Sequence, residues 1–192
     1  LVTCAMNDRL RMSVRAVLEP ACTVSFLTDC AEEERSVAIQ ESDVVLCFFF
    51  NKEIRPEEYS LLENVRLLQT ISTGVDFLPF AEIPSELPIA CNAGGWASQI
   101  AEHTVAMILA LSRRLLPLHE ELRRGRFHKE EPVLRTLRGK TAGIIGYGGI
   151  GKRVADLLRA FGMKTAAINS SGKTQDDVVF CGTLDDLAAM LP

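Results

Sequence analysis

The chain has 192 residues, which is enough for one large domain or two small ones with a buried core. Hydrophobic residues make up 47% and charged residues 24%, and this balance excludes an intrinsically disordered protein. The net charge is −4 and the basic residues are largely scattered, so neither a nucleic-acid nor a membrane-surface partner is indicated. No apolar run reaches the ~18 residues of a membrane span, and no signal pattern opens the sequence, so we expect a soluble, cytoplasmic protein.

The six cysteines are interpreted as free thiols. Most of them lie in or beside apolar, strand-like runs, as Cys4, Cys47 and Cys181 do. No CxxC pair and no Cys/His pairing occurs, so the spacing predicts no metal site. Small buried thiols fit a reducing compartment better than a disulfide framework does.

Strand and helix patterns alternate through the first half of the chain. The run from Asp43 to Phe50 is apolar without alternation, as expected for a central parallel strand covered on both faces. The alternation predicts a parallel α/β domain over residues 1–97. The predicted strands are 1–6, 22–27, 43–50, 65–71 and 88–91, and the predicted helices are one that starts near Asp8 and stops at Pro20, 31–40 and 56–63.

A long helix and a polar connector are predicted over residues 98–138. The stretch from Val105 to Leu111 is apolar on every face, which favours a buried helix between two domains. Pro117 marks a kink or a stop. Residues 118–138 are polar and basic, and a solvated connector is favoured over an anion-binding segment.

A glycine-rich turn follows the connector, within residues 139–192. An apolar strand from Thr141 to Ile145 runs into Gly146-Tyr147-Gly148-Gly149-Ile150-Gly151, and an amphipathic helix comes next. Three of the glycines have separate physical roles. Gly146 permits the tight turn, Gly148 lets the backbone approach a pyrophosphate, and Gly151 lets the helix lie close to the strand. The free N–H groups around Gly149 and Ile150 then point at the phosphates.

The helix after the turn leads into a second strand, from Thr165 to Ile168, by way of a left-handed stop at Gly162. This succession predicts the first unit of a dinucleotide-binding, or Rossmann, fold. One short strand (178–181) and a helix (184–191) complete the pattern. Because the whole fold needs about six strands, we expect the sequence to be part of a longer protein. The alternative is a short binding module without chemistry.

A second candidate site lies at the end of a predicted strand, where open α/β sheets bind ligands. There Ser72, Thr73 and Gly74 follow one another, and such a turn can direct several backbone N–H groups at a carboxylate. A plain tight turn explains the same spacing equally well. Trp96, after the next strand, either lines a pocket or packs.

Three segments, taken in order, resemble one known family. They are LQTISTGVDFLP, CNAGGWASQIAEHTVAMILALSRRL and LRGKTAGIIGYGGIGKRVADLLRAFGMKTAAINSSG, and they cover roughly residues 66–172. The succession is similar to the D-2-hydroxyacid dehydrogenase family, which includes glyoxylate and hydroxypyruvate reductases, D-lactate-type dehydrogenases, phosphoglycerate dehydrogenase and corepressor relatives. The resemblance implies a flavodoxin-like substrate domain followed by an incomplete Rossmann domain.

The resemblance also implies a function. The family transfers a hydride between a nicotinamide and C2 of a small 2-oxo or 2-hydroxy acid with D-isomer specificity, and glyoxylate or hydroxypyruvate are plausible substrates. Ser72, Thr73 and Gly74 match the turn whose amides bind the carboxylate, and Thr104 matches a position that faces the cofactor. The family's catalytic Arg, Glu and His are expected beyond Pro192, so no catalytic residue is assigned. A homodimer built around the long helix is implied.

Cofactor choice depends on the end of the second strand. An Asp or Glu at that position selects NAD by holding the ribose 2′-OH. Here the position is the neutral Asn169, and it is followed by Ser170, Ser171 and Lys173, which can bind a phosphate. We therefore expect NADP rather than NAD, although the usual Arg is absent. The alternative to an enzyme is a dinucleotide-sensing, corepressor-like binding protein of the same fold.

Overall fold

The computed structural model describes residues 1–127, 134–173 and 178–190. The chain divides into two compact units, Leu1–Ala93 and Gly94–Pro192. Within the described residues, no helix is both long and apolar enough to cross a membrane.

The first unit contains a parallel sheet. Its strands are β1 (Val44–Cys47), β2 (Leu67–Thr70) and β3 (Ile89–Ala90), in the order β1-β2-β3. Val2 lies on the other side of β1 and forms isolated parallel bridges to Leu46 and to Phe26. The predicted strands 1–6 and 22–27 are therefore reduced to one bridge residue each, Val2 and Phe26. The backbone hydrogen bonds between these segments and the neighbouring strands involve only residues 1–3 and 25–27 among the described residues.

Short helices connect these strands. They are α1 (Asp8–Leu18), α2 (Arg35–Gln40) and α3 (Phe50–Glu53), and 3-10 segments span Leu27–Asp29 and Pro56–Asn64. The helix cap of α1 is Asn7, whose Oδ1 accepts from the Leu10 amide at 3.0 Å. The predicted helix 56–63 is therefore a 3-10 segment, and the predicted helix 31–40 begins only at Arg35.

The sheet of the first unit is covered on both faces. Val45 and Cys47 are fully buried in one apolar cluster, while Leu46 packs against the cluster that contains Val2 and Phe26. The central strand predicted from the apolar run is confirmed for Val44–Cys47. The prediction is wrong for the rest of the run, because Phe48 and Phe49 are exposed and the buried Phe50 already begins α3.

All six cysteines are free, as expected. Burial is the main cause that raises the pKa of Cys4 to about 11 and that of Cys47 to about 12, with a further contribution from the nearby Glu53. Both thiols therefore stay protonated at neutral pH. Cys22 is exposed, so the expectation of buried thiols does not hold for it.

The second unit contains the predicted strand-helix-strand unit. β4 (Thr141–Ile145) and β5 (Lys164–Ile168) are parallel and are joined through α6 (Gly149–Ala160), and β6 (Phe180–Gly182) extends the sheet in the order β4-β5-β6. A 3-10 turn at Leu184–Asp186 leads into α7 (Leu187–Met190). Parallel strands with a helical crossover are the architecture that the glycine pattern predicted.

The helix α6 packs through one face and ends where predicted. Val154 and Leu158 are buried and form one cluster with Ala101 and Val105 of α4 (Ala97–Ser112). Gly162 has a φ of 76°, which is the left-handed conformation that stops the helix.

The long helix differs from the prediction in two ways. It ends at Ser112, and α5 (Leu115–Arg123) follows after a break at Arg114, whose φ of 52° and ψ of 38° are left-handed. Pro117 lies in the first turn of α5, where its missing N–H is no loss. The break therefore precedes the proline, and the predicted connector begins as a helix.

The prediction of a helix buried on every face is also wrong. In α4 only Ala101 and Val105 are buried, whereas Leu111 is 79% exposed. One side of α4 packs against α6 through Ala101 and Val105. Because the stretch is apolar all round, the sides of α4 without a packing partner in the described chain expose apolar residues.

Candidate functional site

The glycine turn joins β4 to α6 and is held at the end of β5. The amides of Gly146 and Tyr147 both donate to the Ile168 carbonyl, at 2.9 and 3.0 Å. Gly146 has a φ of 97°, a conformation that a residue with a Cβ rarely adopts. The turn therefore needs glycine here because of its backbone conformation.

Gly151 lets α6 approach the turn closely. A Cβ built at this position would lie 2.2 Å from the Gly146 carbonyl oxygen and 3.2 Å from Cγ2 of Ile144. Backbone cannot yield to such an approach as a flexible side chain can. The helix start is thus set against the strand end by the absence of one methyl group.

Gly148 and Gly149 face open space. A Cβ at either position would meet no atom within 4 Å. The first intrahelical bond of α6 is the donation from the Lys152 amide to the Gly148 carbonyl, at 2.9 Å. The amides of Gly149, Ile150 and Gly151 therefore find no acceptor among the described residues. Free N–H groups beside open space at a helix start are suited to phosphate groups, so these residues fit a dinucleotide.

The segment after β5 is shaped by Asn169. Its Nδ2 donates to the Lys173 carbonyl at 2.8 Å, and its Oδ1 accepts from the amide of Ser171 at 3.0 Å and from the hydroxyl of Ser171 at 3.2 Å. Gly172 completes the turn with a φ of 66°. Both ends of the Asn169 amide are therefore engaged within the loop.

Two side chains of this loop are available to a ligand. Ser170 and Lys173 are exposed, and neither the Ser170 hydroxyl nor the Lys173 ammonium has a partner among the described residues. Because the Gly146 amide bonds to the Ile168 carbonyl, the structure brings the glycine turn and the Asn169 loop together at one end of β4 and β5.

The turn from Ser72 to Gly74 follows β2 in the first unit. The Ser72 carbonyl accepts from the Asn92 amide at 3.0 Å, and the Ser72 hydroxyl donates to the Gly74 carbonyl at 2.9 Å. In contrast, the amides of Ser72, Thr73 and Gly74 donate to no acceptor in the described part of the chain. Three successive free amides at the carboxyl end of a parallel strand can bind a carboxylate.

The neighbouring strand end carries residues that sequence reasoning missed. Glu53 accepts hydrogen bonds from the amides of Phe48 and Phe49, at 3.0 and 2.6 Å, and from the hydroxyl of Thr3 at 2.7 Å. The carboxylate therefore holds the loop after β1. A glutamate a few residues beyond an apolar run is too common a pattern to have revealed this.

The glycine turn holds another residue to which the sequence assigned no role. Tyr147 is buried against Ala155 and Ala167, and its hydroxyl has no hydrogen-bond partner among the residues that the structure describes. Its position inside the glycine motif is visible in the sequence, but the direction of its ring is not.

Other candidate side chains are exposed or already bonded. The Thr104 hydroxyl donates to the Ile100 carbonyl at 2.8 Å within α4. Glu102 and His103 are both exposed on α4. His119 is exposed on α5, and His128 lies outside the described residues. Trp96 is 46% exposed. The described residues contain no group of three or more acidic, His or Cys side chains arranged to hold a metal ion.

The folds of the two units are those of a parallel α/β protein whose second unit carries a dinucleotide-binding turn. Residues 105–192 match the family model of the D-isomer specific 2-hydroxyacid dehydrogenase NAD binding domain. Residues 105–192 belong to the D-isomer specific 2-hydroxyacid dehydrogenase family, as its NAD binding domain.

Several named proteins are similar to the chain. A glyoxylate reductase from Thermofilum pendens is 31% identical over 168 residues, which are 78% of this chain and 49% of the relative. The crystal structure of a glycerate dehydrogenase related protein from Thermoplasma acidophilum has a TM-score of 0.66 and 30% identity over 93% of this chain and 56% of that chain. D-lactate dehydrogenase from Aquifex aeolicus, in complex with NAD and lactic acid, shares the fold with a TM-score of 0.71 at 23% identity, over 91% and 52% of the two chains. The chain spans about half the length of the curated relatives it matches.

Two alanine variants separate the roles of the glycines. We expect Gly151→Ala to lower the free energy of unfolding by roughly 1–3 kcal/mol, because the new methyl group would overlap backbone. Gly148→Ala places the same methyl group in open space and should change it by less than about 1 kcal/mol. Equilibrium urea unfolding of both variants measures the difference. Equal stability of the two would show that α6 does not approach the turn as closely as described.

Proposed function

We propose that the full-length protein is an NAD(P)-dependent oxidoreductase that interconverts a small 2-oxo acid and the corresponding D-2-hydroxy acid. The observation that carries the proposal is the open, unpaired helix start at Gly148–Gly151 in a chain of this family. Glyoxylate and hydroxypyruvate are the first substrates to test, since a glyoxylate reductase and a hydroxypyruvate reductase are among its relatives.

The cofactor would be held by the second unit. The amides of Gly149, Ile150 and Gly151 would donate to the pyrophosphate, and the missing side chain at Gly148 would leave room for it. Thr104 and the Asn169 loop are proposed as further cofactor contacts. When bound, the nicotinamide supplies or accepts the hydride that is exchanged with C2 of the substrate.

The substrate carboxylate would be held by the first unit. The three free amides of Ser72, Thr73 and Gly74 form an electropositive turn that needs no cationic side chain. Such a turn recognises the carboxylate that all 2-oxo acids share. It therefore orients the substrate but does not select among side chains.

The acid–base residue is not assigned within the chain. Hydride transfer to C2 must be accompanied by proton transfer to the keto oxygen, and a histidine beside a carboxylate is the usual donor. His103 and His119 are exposed, and neither has a carboxylate partner among the described residues. Neither histidine is proposed for that step.

Turnover tests the function directly. We expect the full-length protein to oxidise NADPH or NADH in the presence of at least one 2-oxo acid. The measurement is the loss of absorbance of the reduced nicotinamide. Cofactor binding without turnover on any 2-oxo acid would contradict the enzyme and favour a dinucleotide-sensing protein. Absence of cofactor binding would contradict both.

Within this function we propose a preference for NADP over NAD. Asn169 carries no charge that would repel a 2′-phosphate. Its side-chain amide is already hydrogen-bonded within the loop, to the Lys173 carbonyl and the Ser171 amide. Ser170 and Lys173 then present a hydroxyl donor and one positive charge to that phosphate, whereas the Ser171 hydroxyl, also expected from the sequence to donate, is engaged with Asn169.

A matched pair of lysine variants tests the cofactor preference. Lys173→Met should weaken NADPH binding about tenfold, since a hydrogen bond to a charged group contributes about 1.5 kcal/mol or more. Its effect on NADH should be small. Lys164→Met removes the same charge from the other end of β5 and should leave both affinities unchanged. Fluorescence titration of each cofactor is the measurement, and equal loss for NADPH and NADH in Lys173→Met would contradict the preference.

We further propose domain roles for the chain. Residues 1–97 would form a flavodoxin-like substrate domain, residues 98–138 an interdomain helix and connector, and residues 139–192 the first part of the dinucleotide-binding domain. The parallel segments of the first unit follow the order Phe26, Val2, β1, β2, β3, which corresponds to the flavodoxin order 2-1-3-4-5. A crystal structure of the full-length protein is the direct check.

A homodimer is proposed from the apolar exposure of α4 and α5. Adjacent exposed apolar side chains of this kind typically mark a contact surface. We expect light scattering to give twice the mass of the full-length chain. The measurement needs a reducing buffer, which keeps the six cysteines as free thiols. A monomer would contradict the proposal. The exposed side chains are Met107, Leu111, Leu115, Leu116 and Leu122.

A further inference from the structure

A fully buried hydroxyl group precedes the turn that is proposed to bind the substrate carboxylate. It belongs to Thr70, the last residue of β2. Thr70 follows Leu68 by two residues, so both side chains point to the same face of the sheet, where Leu68 packs in an apolar cluster. Valine has nearly the same shape as threonine and would fill this position without removing a hydroxyl from water. Packing alone therefore does not explain the hydroxyl.

The Thr70 hydroxyl holds one carbonyl of the turn. It donates to the Ser72 carbonyl at 3.1 Å, and the same oxygen accepts from the Asn92 amide at 3.0 Å. Because a trans peptide is planar, its C=O and N–H groups point in opposite directions. A Ser72 carbonyl that is held by two internal donors thus directs the N–H of Thr73, in the same peptide unit, away from those donors.

Nearby carbonyls are also bonded within the chain. The Thr70 carbonyl accepts from Nε2 of Gln69 at 2.8 Å, and the Gly74 carbonyl accepts from the Ser72 hydroxyl at 2.9 Å. The amides of Ser72, Thr73 and Gly74, in contrast, have no acceptor among the described residues. The negative ends of these peptide dipoles are therefore bound internally, and the positive ends are left for an external anion.

One carboxylate of the chain lies beside the turn. Asp76 is exposed, and its Oδ2 would be 3.5 Å from a Cβ built at Gly74. It accepts from none of the three free amides. Because Asp76 repels a bound anion, the attraction of the substrate carboxylate depends on how well the N–H groups are directed at it.

We propose that Thr70 is a positioning residue of the carboxylate site, which acts through the Ser72 carbonyl and so directs the Thr73 amide at the substrate carboxylate. Thr70 itself does not touch the substrate. The proposal rests on the function proposed above, and it concerns the carboxylate that all 2-oxo acids share.

Two variants of the full-length protein separate the hydroxyl of Thr70 from its packing. Thr70→Val keeps the shape and removes the donor. It should raise KM for glyoxylate and hydroxypyruvate about fivefold, as one hydrogen bond allows, and change kcat less than about twofold, because the carboxylate is bound alike before and during hydride transfer. Thr70→Ser keeps the donor and removes a buried methyl group. It should lower the urea midpoint but keep KM within about twofold of wild type.

Thr165→Val is the matched control, since Thr165 is an equally buried threonine on β5 of the second unit. It should leave KM unchanged, and the affinity for NADPH, from fluorescence titration, should be unchanged in all three variants. An unchanged KM in Thr70→Val overturns the positioning role. Equal rises of KM in Thr70→Val and Thr70→Ser overturn it as well, because they would show that packing matters and the hydroxyl does not.

Oxamate binding distinguishes failure of this proposal from failure of the proposed function. Oxamate carries a carboxylate next to a carbonyl group, as 2-oxo acids do, and it is not reduced. Its Kd in the presence of NADPH, from calorimetry, should rise about fivefold in Thr70→Val and less than about twofold in Thr70→Ser.

The outcomes of the oxamate experiment differ for the two proposals. If no 2-oxo acid is turned over but oxamate binding follows the expected order, the oxidoreductase is overturned and the positioning role is supported. If turnover occurs and Thr70→Val binds oxamate like the wild type, the positioning role alone is overturned. If the wild type does not bind oxamate, the positioning role is overturned whatever the turnover.

Discussion

The contact on which the second unit depends is the approach of α6 to the end of β4. It brings the position of a Gly151 Cβ to 2.2 Å from the Gly146 carbonyl oxygen, so only glycine can stand there. The same approach directs the first amides of the helix into the open space beside Gly148. Packing and ligand chemistry are therefore not separable at this turn, because the helix dipole and the free N–H groups act at the place where the close packing puts them.

The free amides of the first unit are held by a different kind of backbone structure from those of the second unit. Its carboxyl edge has no helix start comparable with that of α6, and the free amides at Ser72–Gly74 come from a turn instead. The adjacent loop is anchored by Glu53, which binds backbone N–H groups that would otherwise be unpaired. The Glu53 carboxylate thus binds the amides that follow β1, whereas the amides that follow β2 at Ser72–Gly74 have no acceptor among the described residues. The anion at the first strand end is thus the Glu53 carboxylate of the chain itself, whereas the second strand end is proposed to bind an external anion.

Local sequence patterns predicted the elements whose causes are local. The strand-glycine-helix succession of residues 141–160, the stop at Gly162 and the strand β5 all follow from apolar periodicity and glycine conformation. The patterns failed where a neighbour in space decides. The run from Asp43 to Phe50 is uniformly apolar, yet the strand ends at Cys47, because Glu53 captures the next two amides. The break between α4 and α5 falls at Arg114, three residues before the proline that predicted it.

The sequence by itself indicated the family, the parallel α/β class and the positions of the two turns that are proposed to bind anions. Glycine conformation and apolar spacing act over a few residues, so they can be read along the chain. Only the tertiary structure decided which side chains of these turns are free. Asn169 could be recognised as neutral, but its engagement with Ser171 and Lys173 depends on the folded loop. The exposure of Phe48 and Phe49 likewise depends on the Glu53 carboxylate and on the neighbouring strand β2. Contacts of this kind produce no periodic pattern in the sequence.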